Sequence, residues 1–255
     1  MSGSMSGLAE NDVVVVTGAA QGIGRAIALA LAARSARLAL WDVKEEGCAA
    51  TAAACAAIGP KPIYRKVDVS NHAEVHAAAK VVRDTYGAIF GLVNNAGIFP
   101  RAMILDSTPE LWRSVLGVNL LGMVFCAQAV IPAMIAQKRG VVVNVASGRG
   151  LQGTPRGAHY AASKAGVISL TKSMAMEFGG DGIRVNTVIP GITETAQPLA
   201  DATIEELNAR GAQLPLGRIG QPDDIAEVVV FLLSEASRYM TGQAVAVNGG
   251  AIMIP

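Results

Sequence analysis

Tyr160 and Lys164 stand four apart in Tyr160-Ala161-Ala162-Ser163-Lys164, and Ser147 lies thirteen positions upstream across a glycine-rich loop. Residues four apart on a helix sit one above the other, so a phenol and an ammonium would share one small volume. A neighbouring cation favours the phenolate and draws a group that normally ionises near pH ~10 towards neutrality. The Ser147 hydroxyl can donate a hydrogen bond to the same substrate oxygen and stabilise the charge that develops there. The chemistry offered is proton movement at a carbon-bound oxygen. Tyr-x-x-x-Lys also arises by chance on helix surfaces, so the elements around it decide its meaning.

The first of these elements is a β-branched run from Asp12 to Thr17. It stops at Thr17-Gly18-Ala19-Ala20-Gln21-Gly22-Ile23-Gly24, after which Ile27, Ala28, Leu31 and Ala32 start an apolar helical rhythm. Strand, glycine turn and helix start form a phosphate-binding geometry. Glycine lets the backbone approach a pyrophosphate, and the helix start offers unpaired N–H groups. A second strand, Leu38 to Trp41, ends in Asp42. A carboxylate there can accept hydrogen bonds from a ribose diol and repel a 2'-phosphate. At ~5 Å and an effective dielectric of ~20 that repulsion is roughly 3 kcal/mol, so NAD is expected over NADP. Lys44, two residues on, acts in the opposite sense.

The alternation continues with a helix over Cys48 to Ala57, a strand over Pro62 to Val67 running into Asp68-Val69, and a helix over Ala73 to Tyr86. A strand over Gly91 to Val93 enters Asn94-Asn95-Ala96-Gly97. Pro109 to Gln137 is one long apolar helical region. Asn119, Gln128 and Pro132 interrupt it, which favours burial against the sheet and a partner subunit over a membrane span. Val141 to Val145 leads to Ser147 and the loop Gly148 to Ala158, and the Tyr160 helix then runs to about Phe178. Arg184 to Ile189 ends at Pro190-Gly191. Helices near Ile204 to Arg210 and over Pro222 to Leu233, then a last strand over Val245 to Val247, complete the chain. The expected fold is α/β: a single doubly wound parallel sheet, Rossmann-like, with helices on both faces over residues 11–255. Residues 1–10 read as a disordered leader.

Composition narrows the remaining classes. The 255 residues are 51% hydrophobic and 16% charged, which calls for a large two-faced core, subunit burial, or both. A net charge of +1 without a basic cluster argues against nucleic acid. Cys48 and Cys55, seven apart on a helix, would be about 10 Å apart and cannot bridge. With no signal sequence and no Cys-x-x-Cys, a reduced, cytoplasmic setting is expected. His72 and His76 have metal-ligand spacing, but no third ligand is apparent, and no metal is expected.

Taken in order, Thr17-Gly18-x-x-x-Gly22-x-Gly24, Asn94-Asn95-Ala96-Gly97, Asn119, Ser147, Tyr160-x-x-x-Lys164, Pro190-Gly191 and Thr241-Gly242 resemble the short-chain dehydrogenase/reductase family from about Val13 to Gly250. The resemblance implies Tyr160 as general acid/base, Ser147 on the substrate oxygen and Lys164 on the nicotinamide ribose. It further implies Asn119 as holder of a proton-relay water, so Asn119, Ser147, Tyr160 and Lys164 are the candidate catalytic residues. For the cofactor it implies the glycine turn (Gly18, Gln21, Gly22, Ile23, Gly24), Asp42, Asp68 and Val69 at adenine, Asn95, Ala96 and Gly97, Pro190 and Gly191, and Thr193 and Thr195 on the carboxamide and phosphate side. Thr193 stands where an aliphatic residue is more usual, and Asn248 replaces a frequent Asp. A homotetramer is also implied.

The substrate is expected between Ile98 to Pro100, Gly148 to His159 and a closing segment at about 195–216. Ile98, Phe99, Leu151 and Leu199 suggest a secondary alcohol or ketone with an apolar body. Arg149 and Arg156 could recognise a carboxylate or phosphate, and His159 could face pocket or solvent. Two other readings are a reductase of 3-oxoacyl thioesters and a non-catalytic NAD-sensing protein.

Overall fold

The computed structural model describes residues 12–199 and 201–253, so the expected leader falls outside the described residues. Seven parallel strands form one sheet: β1 (Val13–Thr17), β2 (Arg37–Asp42), β3 (Ile63–Lys66), β4 (Gly91–Asn94), β5 (Gly140–Val145), β6 (Ile183–Pro190) and β7 (Ala244–Val247). They lie in the order β3-β2-β1-β4-β5-β6-β7. The chain therefore reverses its direction of growth between β1 and β4, which opens a crevice at their carboxyl ends. Strands β1, β4 and β5 are buried along their whole length, consistent with near-continuous apolar runs covered on both faces. Strand β3, at the sheet edge, is mostly exposed.

The helices are α1 (Gly22–Ala32), α2 (Glu45–Ala56), α3 (His72–Tyr86), α4 (Pro109–Leu116), α5 (Gly122–Gln137), α6 (Arg149–Gln152), α7 (Ala158–Phe178), α8 (Ala196–Leu199), α9 (Ile204–Gly211) and α10 (Pro222–Leu233). One face of the sheet is closed by α1, α2 and α10 through Ile27, Leu31, Cys48, Ile225 and Val229. The other is closed by α3, α5 and α7 through Val75, Val82, Cys126, Val130 and Met174. Capping fixes several starts. The Asn71 side chain accepts from the N–H groups of Ala73 and Glu74 at α3, and Thr203 and Glu206 form a reciprocal capping box at α9.

Two local differences from the sequence reading concern the site. The run Pro109–Gln137 is 29 residues long and apolar enough by composition to cross a bilayer, yet half of its most apolar window is buried inside the fold. A π turn at Gly117–Leu121 divides it, with Asn119 fully buried at its centre. The loop after Ser147 also contains the single-turn helix α6, which its glycines conceal in the sequence.

Candidate active site

The crevice is stitched shut at its base by the two segments that reverse there. Thr17 Oγ1 accepts from the N–H groups of Asn95 (3.0 Å) and Ala96 (3.1 Å), while Asn95 Nδ2 donates to the carbonyls of Thr17 (3.0 Å) and Gly18 (3.1 Å). Gly18 and Gly22 adopt positive φ, +66° and +55°. At Gly24 a Cβ would lie 2.1 Å from the Gly18 carbonyl oxygen, so this glycine lets α1 close onto the turn. Helix α1 begins without a side-chain cap and without acidic residues in its first turn, leaving its leading N–H groups turned to the crevice.

The Asp42 carboxylate braces this turn. It accepts from the Ala20 N–H and the Lys44 N–H, both at 2.9 Å. Lys44 Nζ reaches Gln21 Oε1 at 3.2 Å. These residues belong to a cavity of about 370 Å³ that is also lined by Gly18, Gly22, Ile23, Asp68, Val69, Asn95, Ala96, Gly97 and Thr195. Thr195 leans over the glycine turn, since a Cβ on Gly22 would meet its Cγ2 at 3.2 Å. A second cavity of about 280 Å³ continues from the first, sharing Ile23, Asn95, Gly97, Thr195 and Gln197 with it. Ser147, Tyr160, Lys164, Pro190, Gly191 and Thr193 line this second part. A long groove with close-approach glycines at one end and a carboxylate at the β2 terminus suits a dinucleotide.

Helix α7 brings Tyr160 and Lys164 together, both buried, with Lys164 Nζ 5.8 Å from the Tyr160 ring centroid. Lys164 Nζ donates to the Val145 carbonyl at 2.8 Å. Gly97 packs beside Nζ, where a Cβ would lie 3.5 Å from it and 3.4 Å from Asn119 Oδ1. Asn119 lines neither cavity. Its Oδ1 accepts from the Ile98 N–H (2.8 Å), and its Nδ2 donates to the Ile98 carbonyl (2.9 Å) and Ser163 Oγ (3.1 Å). Asn119 thereby ties the long helix, the β4 loop and α7 together behind Lys164.

The direction of the Tyr160 pKa differs from the sequence expectation. Burial raises it; hydrogen bonding from Ser147 and Gln197, and then the charges of Arg101 and Arg149, pull it back without cancelling the rise. Lys164, also buried, is lowered to about 8. Burial thus works against both charged forms, the phenolate of Tyr160 and the ammonium of Lys164.

The substrate side keeps apolar walls, among them Phe99, Ile192, Leu207 and Ile252, although not all of the expected residues supply them. Phe99 lies stacked on Tyr160, ring centroids 3.9 Å apart. Ile98 lines the first cavity instead, and Leu151 and Leu199 line neither, at 43% and 41% exposure. Arg149 lines the cavity and Arg156 does not; His159 is buried, its edge towards Trp112 with centroids 5.9 Å apart. The Thr193 hydroxyl turns back to the Gly191 carbonyl at 3.2 Å. Asn248 braces the C-terminal turn, donating to the Ile252 carbonyl (2.9 Å) and accepting from the Gly250 N–H (3.0 Å). Gln197, Asp201 and Arg210, all at the second cavity, lie in the expected closing segment without having been singled out there, and Arg101 was missed. They come from segments whose meeting has no local pattern.

Comparison with known proteins decides the family. Residues 18–251 match the family described as enoyl-(acyl carrier protein) reductase. The chain belongs to the short-chain dehydrogenase/reductase family. Its members are oxidoreductases that typically use a nicotinamide cofactor. The chain is 38% identical to 3-oxoacyl-[acyl-carrier-protein] reductase FabG of Thermotoga maritima over 245 residues, covering 96% of this chain and 99% of that one. It is 39% identical over 256 residues to 2-(S)-hydroxypropyl-CoM dehydrogenase 3 of Xanthobacter autotrophicus, covering 98% and 100%. Among solved structures, levodione reductase superposes with a TM-score of 0.89 at 35% identity, covering 94% of this chain and 96% of the other.

Proposed function

We propose that this family member interconverts a secondary alcohol and a ketone with NAD, using Tyr160 as general acid/base. The observation that carries the reading is the convergence of Tyr160, Ser147 and Lys164 on the cavity that continues from the glycine-turn groove. In the oxidative direction Tyr160 takes the hydroxyl proton, Ser147 holds the same oxygen, and Lys164 and Asn119 stand behind the phenol as the route by which the proton leaves. Bound NAD supplies the hydride acceptor. Asp42 at the end of β2, already oriented by two backbone N–H groups, would bind the adenosine ribose, and this supports NAD over NADP.

The names of the relatives support the reaction class, since one is a reductase of 3-oxoacyl groups and another a dehydrogenase of a hydroxypropyl compound. The first of these names also favours a second reading, reduction of a 3-oxoacyl thioester. The segment at 195–216, which contributes Gln197, Leu207 and Arg210 to the cavity, acts as the closing element in either case. A cytoplasmic homotetramer completes the proposal, with exposed Leu121, Met176 and Phe231 as contact candidates. The test is a screen of secondary alcohols with NAD by absorbance at 340 nm. Turnover that disappears in Tyr160→Phe supports the assignment, and tight NAD binding with no turnover across the panel favours an NAD sensor.

A further inference from the structure

Three arginines from three separate segments meet at the second cavity: Arg101 after β4, Arg149 at the start of α6 and Arg210 on α9. Among the described residues that line the cavity Asp201 is the single carboxylate, and Arg101 uses it, with Nε 2.5 Å from Asp201 Oδ2. Arg149 and Arg210 make no side-chain hydrogen bond or ion pair with any described residue. The chain as a whole is nearly neutral, 21 basic against 20 acidic residues, so the excess at this one opening is local. The Arg149 backbone N–H donates to Ser147 Oγ at 3.2 Å, so its backbone lies beside the residue proposed to hold the substrate oxygen.

We infer that the substrate carries a terminal oxyanion, a carboxylate or a group of similar charge, received by Arg149 and Arg210 while its carbonyl or hydroxyl carbon lies at Tyr160. Guanidinium groups favour oxyanions because they offer several donors in one plane and keep their charge at any working pH. Arg101 is the reserve cation, since an incoming anion competes with Asp201 for it. Phe99, Ile192, Leu207 and Ile252 line the same cavity and would hold the apolar part of such a substrate between the anion and the reacting carbon. The inference rests on the oxidoreductase reading above and extends it to a substrate class.

The test is calorimetric binding to the enzyme saturated with NAD, which cannot reduce the carbonyl probes, so that binding is read without turnover. The probes are pyruvate, acetoacetate and levulinate, each set against its methyl ester at low salt. At least one anion is expected to bind about tenfold more tightly than its ester, an advantage that shrinks in high salt. The double variant Arg149→Gln/Arg210→Gln should bring that ratio close to unity while NAD affinity stays unchanged, and Arg149→Lys/Arg210→Lys should restore part of it. Equal affinity of every anion and its ester in the wild type overturns the inference, as does a preference that survives the glutamine variant or high salt. Failure of the redox reading shows separately, as absent turnover of both esters and acids despite anion-selective binding.

Discussion

The ring of Phe99 lies on the ring of Tyr160 with planes 14° from parallel, and the Arg101 guanidinium carbon stands 3.7 Å from the Phe99 centroid. This stack helps exclude water from the phenol, and burial is the leading cause of its raised pKa. Phe99→Ala should therefore lower the Tyr160 pKa and shift the alkaline limb of alcohol oxidation to lower pH. Loss of the stack should also cost about 1 kcal/mol of stability. Parallel pH–rate and urea-unfolding measurements check both, and an unmoved limb refutes the role given to Phe99.

Oxidation and reduction should respond oppositely to pH. Oxidation needs the ionised phenol, so its kcat/KM should climb from neutral into alkaline conditions, while reduction needs the protonated phenol and should decline there. Arg149 lowers the Tyr160 pKa, so Arg149→Gln should carry both limbs to higher pH.

Tyr160→Phe should retain cofactor affinity and lose at least about a thousandfold in kcat, within the range general acid/base catalysis contributes. Fluorescence titration of NADH and single-turnover rates separate the two effects. An active phenylalanine variant refutes the acid/base role.

Asp42→Ala removes the acceptor for the Ala20 and Lys44 N–H groups together with the charge that repels a 2'-phosphate. The ratio of kcat/KM for NAD to that for NADP should fall by roughly a hundredfold, the equivalent of ~3 kcal/mol at ~5 Å. Lys44 should then favour NADP. Equal efficiency with both cofactors in the unaltered enzyme contradicts the predicted NAD preference.

Stability should also depend on Lys164. Its folded pKa, about 8, lies below the ~10.4 of an unfolded lysine, so between these values the unfolded chain holds the extra proton. Below pH ~8 the full cost of burying the charge is present, and stability rises as pH increases from there towards ~10. Lys164→Met should flatten that rise, as read from urea midpoints across the window.

The parts legible in the sequence were those written in local chemistry. Four valines at Val13 to Val16 and three at Val141 to Val143 announce strands buried on both faces, and the glycine turn announces the start of α1. Tyr160 and Lys164 are legible because a helix brings positions four apart together. Helix α6 is not, being four residues long and containing Gly150. Gln197, on the short helix α8, and Arg101, in the loop after β4, approach Tyr160 from segments remote in sequence. The sign of the Tyr160 shift depends on the depth at which the phenol is buried, which no spacing encodes.

The π turn at Gly117–Leu121 sets the angular phase of the long helix. An α-helix advances about 100° per residue, so deleting one residue from this turn to make it regular would rotate the rest of α5 by about that angle. Cys126, Val130 and Met134 would swing off the sheet, or Val115 on the other side would. Asn119 would also lose its alignment with Ile98. The irregular turn lets one continuous helix serve two clients, the sheet beneath it and the loop in front of Lys164, whose required directions a regular helix could not satisfy together.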